Sequence, residues 1–158
     1  MATPYEDLMK FYETALHHCK PEWATSSSII YEDDAVALRR FDDARTGTPI
    51  LIVPPQAEHH SCIADYSPDH SLVRTCLSCT DSPVYAIEWK SSTPKRKDET
   101  IDDLVKQMLM CVKMTGSPVT LAGLCQGGWL SAIYAALFPR DVHALILGRA
   151  QTGLQAFF

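Results

Sequence analysis

Apolar and polar positions change period several times along the chain, and each change marks an element. Near the start, Leu8, Phe11, Tyr12, Ala15 and Leu16 recur at spacings of three and four behind Pro4, Glu6 and Asp7, a helix pattern that Pro21 stops. His17 and His18 fall in its last turn, where imidazole suits the helix dipole; as adjacent positions they face different ways and make no metal pair. After the polar break Ser26-Ser27-Ser28, the runs Ile29-Ile30-Tyr31 and Ala35 to Phe41, parted by Asp33-Asp34, predict an antiparallel hairpin. Ile50-Leu51-Ile52-Val53 is apolar at every position, the pattern of a short strand covered on both faces. Ser71 to Leu77 predicts a short helix and Pro83 to Trp89 another strand.

The clearest helix carries Ile101, Leu104, Val105, Met108, Leu109 and Val112 on one stripe, with Asp102 and Asp103 in its first turn and Gly116 as its stop. Met108, Met110 and Met114 read as core filling. Beyond it, Val119 to Gly123 form a strand pattern that passes through Cys125 into a helical pattern from Trp129 to Phe138, and Val142 to Gly148 predicts a further buried strand. Strands alternating with helices predict an α/β fold with a mostly parallel sheet. The expected organisation is a single partial domain: an N-terminal helix within 1–25, a sheet core over 29–148 and an irregular tail over 149–158.

The chemistry concentrates where strand meets helix. A nucleophile at such a turn sits in strained backbone, and small residues two positions to either side let strand and helix approach; Gly123 and Gly127 fill those places around Cys125, with Gly128 following. Cys stands where esterases carry Ser. The backbone N–H of Gln126 can face a developing oxyanion, and the helix dipole favours a thiolate, so the turn predicts acyl transfer through a thioester. A Cys in that setting is otherwise an inert buried hydrophobe; the strand before it and the helix after it are what favour the nucleophile.

In a doubly wound sheet, ligands bind at the carboxyl ends of strands, so the loop Pro54-Pro55-Gln56-Ala57-Glu58-His59-His60 is expected on the same rim as Cys125. The prolines have no N–H, so a second oxyanion donor would come from Gln56 or its neighbour Ala57. The base of this architecture arrives after the nucleophile, which makes His59, His60 and His70 loop or substrate-facing residues.

Composition narrows the classes. A length of 158 residues suits one domain, and a net charge of −5 argues against nucleic acid as a partner. With no basic and apolar leader at its start and no run of spanning length, the chain reads as cytosolic and soluble, without a transmembrane segment. Its six cysteines are expected as reduced thiols. Cys76-Leu77-Ser78-Cys79 has CxxC spacing but no second ligand pair, so it reads as structural and no metal site is expected. Lys95-Arg96-Lys97, followed at once by Asp98 and Glu99, reads as a solvated loop.

Gly123-Leu124-Cys125-Gln126-Gly127-Gly128 resembles the lipase-like box of the poly(3-hydroxyalkanoate) synthases, which carry Gly-x-Cys-x-Gly-Gly. Four upstream stretches resemble that family in the same order: Pro49 to Pro55, Ser71 to Arg74, the strand ending Glu88-Trp89-Lys90, and Thr100 to Asp103. The resemblance runs from about Pro49 to Leu147. It implies an α/β-hydrolase-like fold in which Cys125 takes a hydroxyacyl group from a coenzyme A thioester and passes it to a growing polyester. Coenzyme A enters as substrate and no cofactor is implied. A His base oriented by an Asp is also implied.

The chain departs from that pattern after the nucleophile. Asp141 and His143 bracket the entry to a strand, away from the turn's rim, and neither fits a triad place. The expectation is the front part of a longer catalytic domain, incomplete or inactive as it stands. Its last strand would lie at an uncovered sheet edge and favour self-association. A polyester depolymerase or esterase on the same scaffold, and a non-catalytic truncated binding module, remain open beside the acyltransferase.

Overall fold

A computed structural model describes residues 3–16, 22–42, 44–58 and 61–150. Among these residues the elements run α1 (Pro4–Leu16), β1 (Ser28–Glu32), β2 (Val36–Arg40), β3 (Ile50–Val53), β4 (Asp65–Ser67), β5 (His70–Ser71), α2 (Leu72–Cys79), β6 (Val84–Trp89), α3 (Ile101–Thr115), β7 (Val119–Leu124), α4 (Gln126–Leu137) and β8 (Val142–Gly148). Six strands form one sheet in the order β1-β2-β6-β3-β7-β8. The pairs β3–β6, β3–β7 and β7–β8 are parallel, while β1–β2 and β2–β6 are antiparallel. The β4–β5 pair stands apart as a small antiparallel ribbon.

Strand period explains the two-sided core. Leu51 and Val53 of β3, Tyr85, Ile87 and Trp89 of β6, and Val119 and Leu121 of β7 share one cluster with Leu104, Val105, Met108 and Val112 of α3 and Leu130 and Tyr134 of α4. The alternate positions Ile50, Ile52, Val84, Ala86 and Ala122 pack on the other face with Phe41 and Val73 of α2. The central strands β3 and β6 are thus covered on both faces and buried at every position. The continuous apolar run of β3 follows from that cover. Helix α3 is closed at its start by a capping box, with the Asp103 carboxylate accepting from the Thr100 N–H at 3.0 Å.

Several expectations are corrected. Only Met108 of the three methionines is buried; Met110 and Met114 lie on the outer side of α3, because their helical phase turns them away from the sheet. Ile101 is likewise exposed at the start of that helix. Arg96 is not solvated: it is half-buried and ion-paired to Glu99 at 2.8 Å, and it donates to the Asp34 carbonyl at 3.1 Å. Strand β8 is not buried, since it is the last strand of the sheet and Leu145, Ile146 and Leu147 are exposed. The apolar face of α1 also lies in solvent, with Leu8, Phe11 and Tyr12 all exposed. No helix among the described residues is long and apolar enough to cross a membrane.

Candidate active site at the β7–α4 turn

The turn is held open by geometry that only its glycines allow. Cys125 adopts φ 50° and ψ −114° between β7 and α4, a left-sided backbone that is uncommon for any residue but glycine. Its thiol is free and exposed. The Cys125 N–H donates to the Gly148 carbonyl at 2.8 Å, so the last rung between β7 and β8 fixes the residue from below. A side chain at Gly123 would lie 2.5 Å from the Gly128 Cα, and one at Gly127 would lie 1.9 Å from the Val53 carbonyl oxygen. Both distances are below any real Cβ contact, so α4 can cross this close to β7 and β3 only over glycine. At Gly128 a Cβ would meet that of Ala150 at 2.3 Å. Ser131, buried one turn further on, donates to the Gly127 carbonyl at 2.7 Å and fills the space beside Gly123.

The facing wall is the loop after β3, as expected from the strand order. Pro54 and Pro55 are buried, and the Pro54 carbonyl accepts from Trp89 Nε1 at 2.8 Å. The Trp89 N–H donates in turn to the hydroxyl of Ser61, which is itself buried with φ 58°. A wholly buried Trp at the end of β6 therefore pins both ends of this loop, because its indole N–H needs a partner once removed from water. Gln56 and Ala57 form a short 3₁₀ turn with Glu58. The Ala57 N–H donates to Gln126 Oε1 at 2.9 Å, joining the first residue of α4 to the loop. As the first residue of α4, Gln126 carries one of the backbone N–H groups that have no intrahelical acceptor.

The expected site residues Cys125, Gln126, Gln56 and Ala57 thus come together at the carboxyl ends of β7 and β3. Asp141 and His143 do not join them. Val142 pairs with Val119, at the start of β7, while Cys125 follows its end about 20 Å away along the strand. Asp141 accepts there from the hydroxyls of Ser117 at 3.2 Å and Tyr134 at 3.3 Å, and burial, with the Asp141 charge adding to it, pushes the Tyr134 hydroxyl well above its usual range. His70 is exposed on β5. His59 and His60 lie outside the described residues. Among the described residues no hydrogen bond is made by the Cys125 thiol, and no group of His, Cys, Asp and Glu side chains has metal-holding geometry.

Two polar hubs were not anticipated from the sequence. Asp65, wholly buried, accepts from the Thr25 N–H at 2.7 Å and from the hydroxyls of Thr25 and Ser71, tying the segment before β1 to the ribbon and to the N-terminus of α2. Glu88, buried on β6, is ion-paired with Arg39 and accepts from Trp23 Nε1 at 2.9 Å. Their only sequence signal was an acid inside or beside an apolar run. A concavity of about 660 Å³ lies away from Cys125, between the β1–β2 turn and α3; its lining of Asp33, Arg96, Glu99 and Asp103 is already engaged in hydrogen bonds and ion pairs.

Comparison with known proteins bears on the fold of the chain. No protein-family model matches the chain. It is 33% identical over 132 residues to a poly(3-hydroxyalkanoate) polymerase subunit of Haloferax mediterranei, a match that covers 77% of this chain and 26% of that protein. Over 74 residues, 45% of this chain and 21% of that protein, it is 36% identical to the human monoacylglycerol lipase ABHD6. The chain therefore spans between about a fifth and just over a third of the length of the relatives it matches. Among solved structures, a putative lipase of Acinetobacter baumannii AYE aligns with 99% of this chain and 49% of its own at a TM-score of 0.64 and 13% identity, a likeness of fold alone. The chain is distantly similar to the poly(3-hydroxyalkanoate) polymerases over about three quarters of its length, and its mostly parallel sheet is of the α/β-hydrolase kind.

Proposed function

We propose that Cys125 is the nucleophile of an acyl transfer that takes a hydroxyacyl group from a coenzyme A thioester and delivers it to a polyester chain. The observation that carries this reading is the exposed Cys125 thiol at φ 50°, raised on a turn that Gly123 and Gly127 make sterically feasible. In the first step the Cys125 thiolate adds to the thioester carbonyl, its C–S bond forms, and the C–S bond to coenzyme A breaks to release the coenzyme thiolate, which takes up the proton that Cys125 gave up. In the second step the hydroxyl at a chain end attacks the acyl-cysteine and regenerates the thiol. The Gln126 N–H and that of Gln56 are the proposed donors to the oxyanion of both steps, an arrangement in which a lost donor typically costs about 10²–10³-fold in rate. Ala57 bounds the acyl group, its own N–H occupied by Gln126.

The proposed setting is a single partial domain whose acid and base lie outside the described residues. Since members of a triad act as a unit, the 158-residue chain alone should turn over slowly, by about 10⁴-fold or more. Self-association through the β8 edge belongs to the same proposal, as does a cytosolic location.

Hydrolysis of an ester on the same scaffold is the second reading, and it is favoured by the local likeness to ABHD6. The two are separated by offering a hydroxyacyl-coenzyme A and an oxygen ester side by side and following free coenzyme A and free acid. The first reading expects coenzyme A release that Cys125→Ala abolishes, with acyl groups retained on protein or polymer. Free acid released in step with coenzyme A would select the hydrolase, and full release by Cys125→Ala would exclude both.

A further inference from the structure

Strand β6 outruns its parallel neighbour. The β3–β6 pairing ends with Ile52 opposite Ala86, while β6 continues to Trp89, which pairs with Val36 of β2. The next residue, Lys90, donates its N–H to the Ala35 carbonyl at 2.9 Å. Trp89 is therefore fixed in the sheet by its backbone and lies beyond the last β3 rung, beside the loop that leaves β3. Its indole is wholly buried, and the indole N–H donates to the Pro54 carbonyl at 2.8 Å. That carbonyl also lies close under α4, since a Cβ at Gly127 would be 2.7 Å from it.

The direction of the Pro54 carbonyl sets that of the Gln56 N–H. Between the two groups the peptide bonds are planar and the Pro55 ring locks φ at about −65°, so Pro55 ψ is the one soft dihedral left. On the far side, the Ala57 N–H is held by Gln126 Oε1 at 2.9 Å. Gln56 is thus gripped from both sides, by the end of β6 and by the first residue of α4. Among the described residues its own N–H has no acceptor, and neither has that of Gln126.

We infer that Trp89 is a positioning residue for acyl transfer at Cys125: its indole N–H, through the Pro54 carbonyl, aims the Gln56 N–H at the oxyanion. This role rests on the acyl-transfer reading of Cys125. Loss of the indole N–H takes from the buried Pro54 carbonyl the partner that orients it, so the Pro54–Pro55 peptide can turn and the Gln56 N–H turns with it. A group displaced by about 1 Å forfeits about 10²-fold in rate. The nucleophile is held separately, by the bond from the Cys125 N–H to the Gly148 carbonyl. Trp89 therefore acts on the developing charge and leaves the thiol as it is.

The test compares two reactions of one thiol in the full 158-residue chain, each read by peptide mapping of Cys125. A 3-hydroxyacyl-coenzyme A acylates it through an oxyanion: the C–S bond to Cys125 forms, that to coenzyme A breaks, and the coenzyme thiolate takes the proton. Iodoacetamide alkylates it by displacing iodide, the thiol proton passing to solvent; no oxyanion forms, so this reaction reports thiolate and access alone. Trp89→Phe should slow acylation about tenfold to a hundredfold and leave alkylation within about twofold. Protection of the buried Cys111 from iodoacetamide verifies that the variant is folded. If it is not, 3-benzothienylalanine at position 89, with sulfur in place of the N–H, decides the matter. Equal acylation of the wild-type chain and the variant overturns the inference alone; an equal loss in both reactions makes Trp89 merely structural and overturns it too. A wild-type chain alkylated but never acylated at Cys125 overturns the acyl-transfer reading and this inference with it.

Discussion

Gln126 Oε1 accepts the Ala57 N–H at 2.9 Å, so a side chain from the first turn of α4 holds the loop that follows β3. The exposed Cys125 and the loop facing it are therefore one unit, although 69 positions separate the bonded residues. Gln126→Ala should release the Ala57 amide to faster hydrogen exchange and lower stability by about 1 kcal/mol. An unchanged exchange rate at Ala57 would mean that the loop is held by Trp89 and Ser61 alone.

Gly127 sits beneath Val53 so closely that Gly127→Ala forces backbone against backbone, a Cβ 1.9 Å from the Val53 oxygen. Urea denaturation should show a loss of about 3 kcal/mol or more. Gly116→Ala is the control: nothing lies within 4 Å of its added Cβ and only φ +88° is strained, for a cost of about 1 kcal/mol. Equal midpoints for the two variants would remove the argument from close approach.

The thiols should separate by reactivity. Burial pushes the Cys111 thiol up to about 12, with the nearby Asp33 charge adding to it, while Cys79 and Cys125 are exposed. A disulfide reagent applied to the folded chain should label Cys79 and Cys125 and spare Cys111 until urea is added. The raised value favours the protonated thiol in the folded state, so its contribution to stability is intact below pH 9 and is lost as pH rises from 9 towards 12. Cys111→Ala should flatten that alkaline decline. Tyr31, held up to about 12 by its hydrogen bond to Asp33, adds a second decline from pH 10 upward.

Asp33 acts at the other limb. Burial works to raise it, but the N–H groups of Val36 and Ala35, the Tyr31 hydroxyl and Lys90 outweigh that and hold the carboxyl below 3.8. Its stabilising effect is present above pH 3.8 and disappears as pH falls through the lowered value. Asp33→Ala should make acid unfolding shallower in this range; an unaltered acid limb would place the linkage elsewhere.

Much of this arrangement could be read from residue order. The unbroken apolar run of β3, the stripe of α3 and the glycines about Cys125 each have one physical explanation, and the structure supplies it: two-sided cover, one-sided packing and close crossing. What escaped the reading depends on neighbours distant in sequence. The exposure of β8 and of the α1 face cannot be deduced from their apolarity, since periodicity records which face is apolar and not whether anything covers it. Arg96 resembles a solvated charge until the carbonyls of Asp34 and Lys90 are brought to it. The β4–β5 ribbon is too short to alternate, and the Gln126–Ala57 bond has no local signature at all.

The central claim is that Cys125 carries an acyl group. Intact-mass spectrometry of the chain incubated with a 3-hydroxyacyl-coenzyme A, followed by peptide mapping, tests it most directly. The account predicts one acyl unit on Cys125, discharged by hydroxylamine and absent from Cys125→Ala even though Cys79 is still present. No adduct on Cys125, or an equal adduct on the Ala variant, would contradict it.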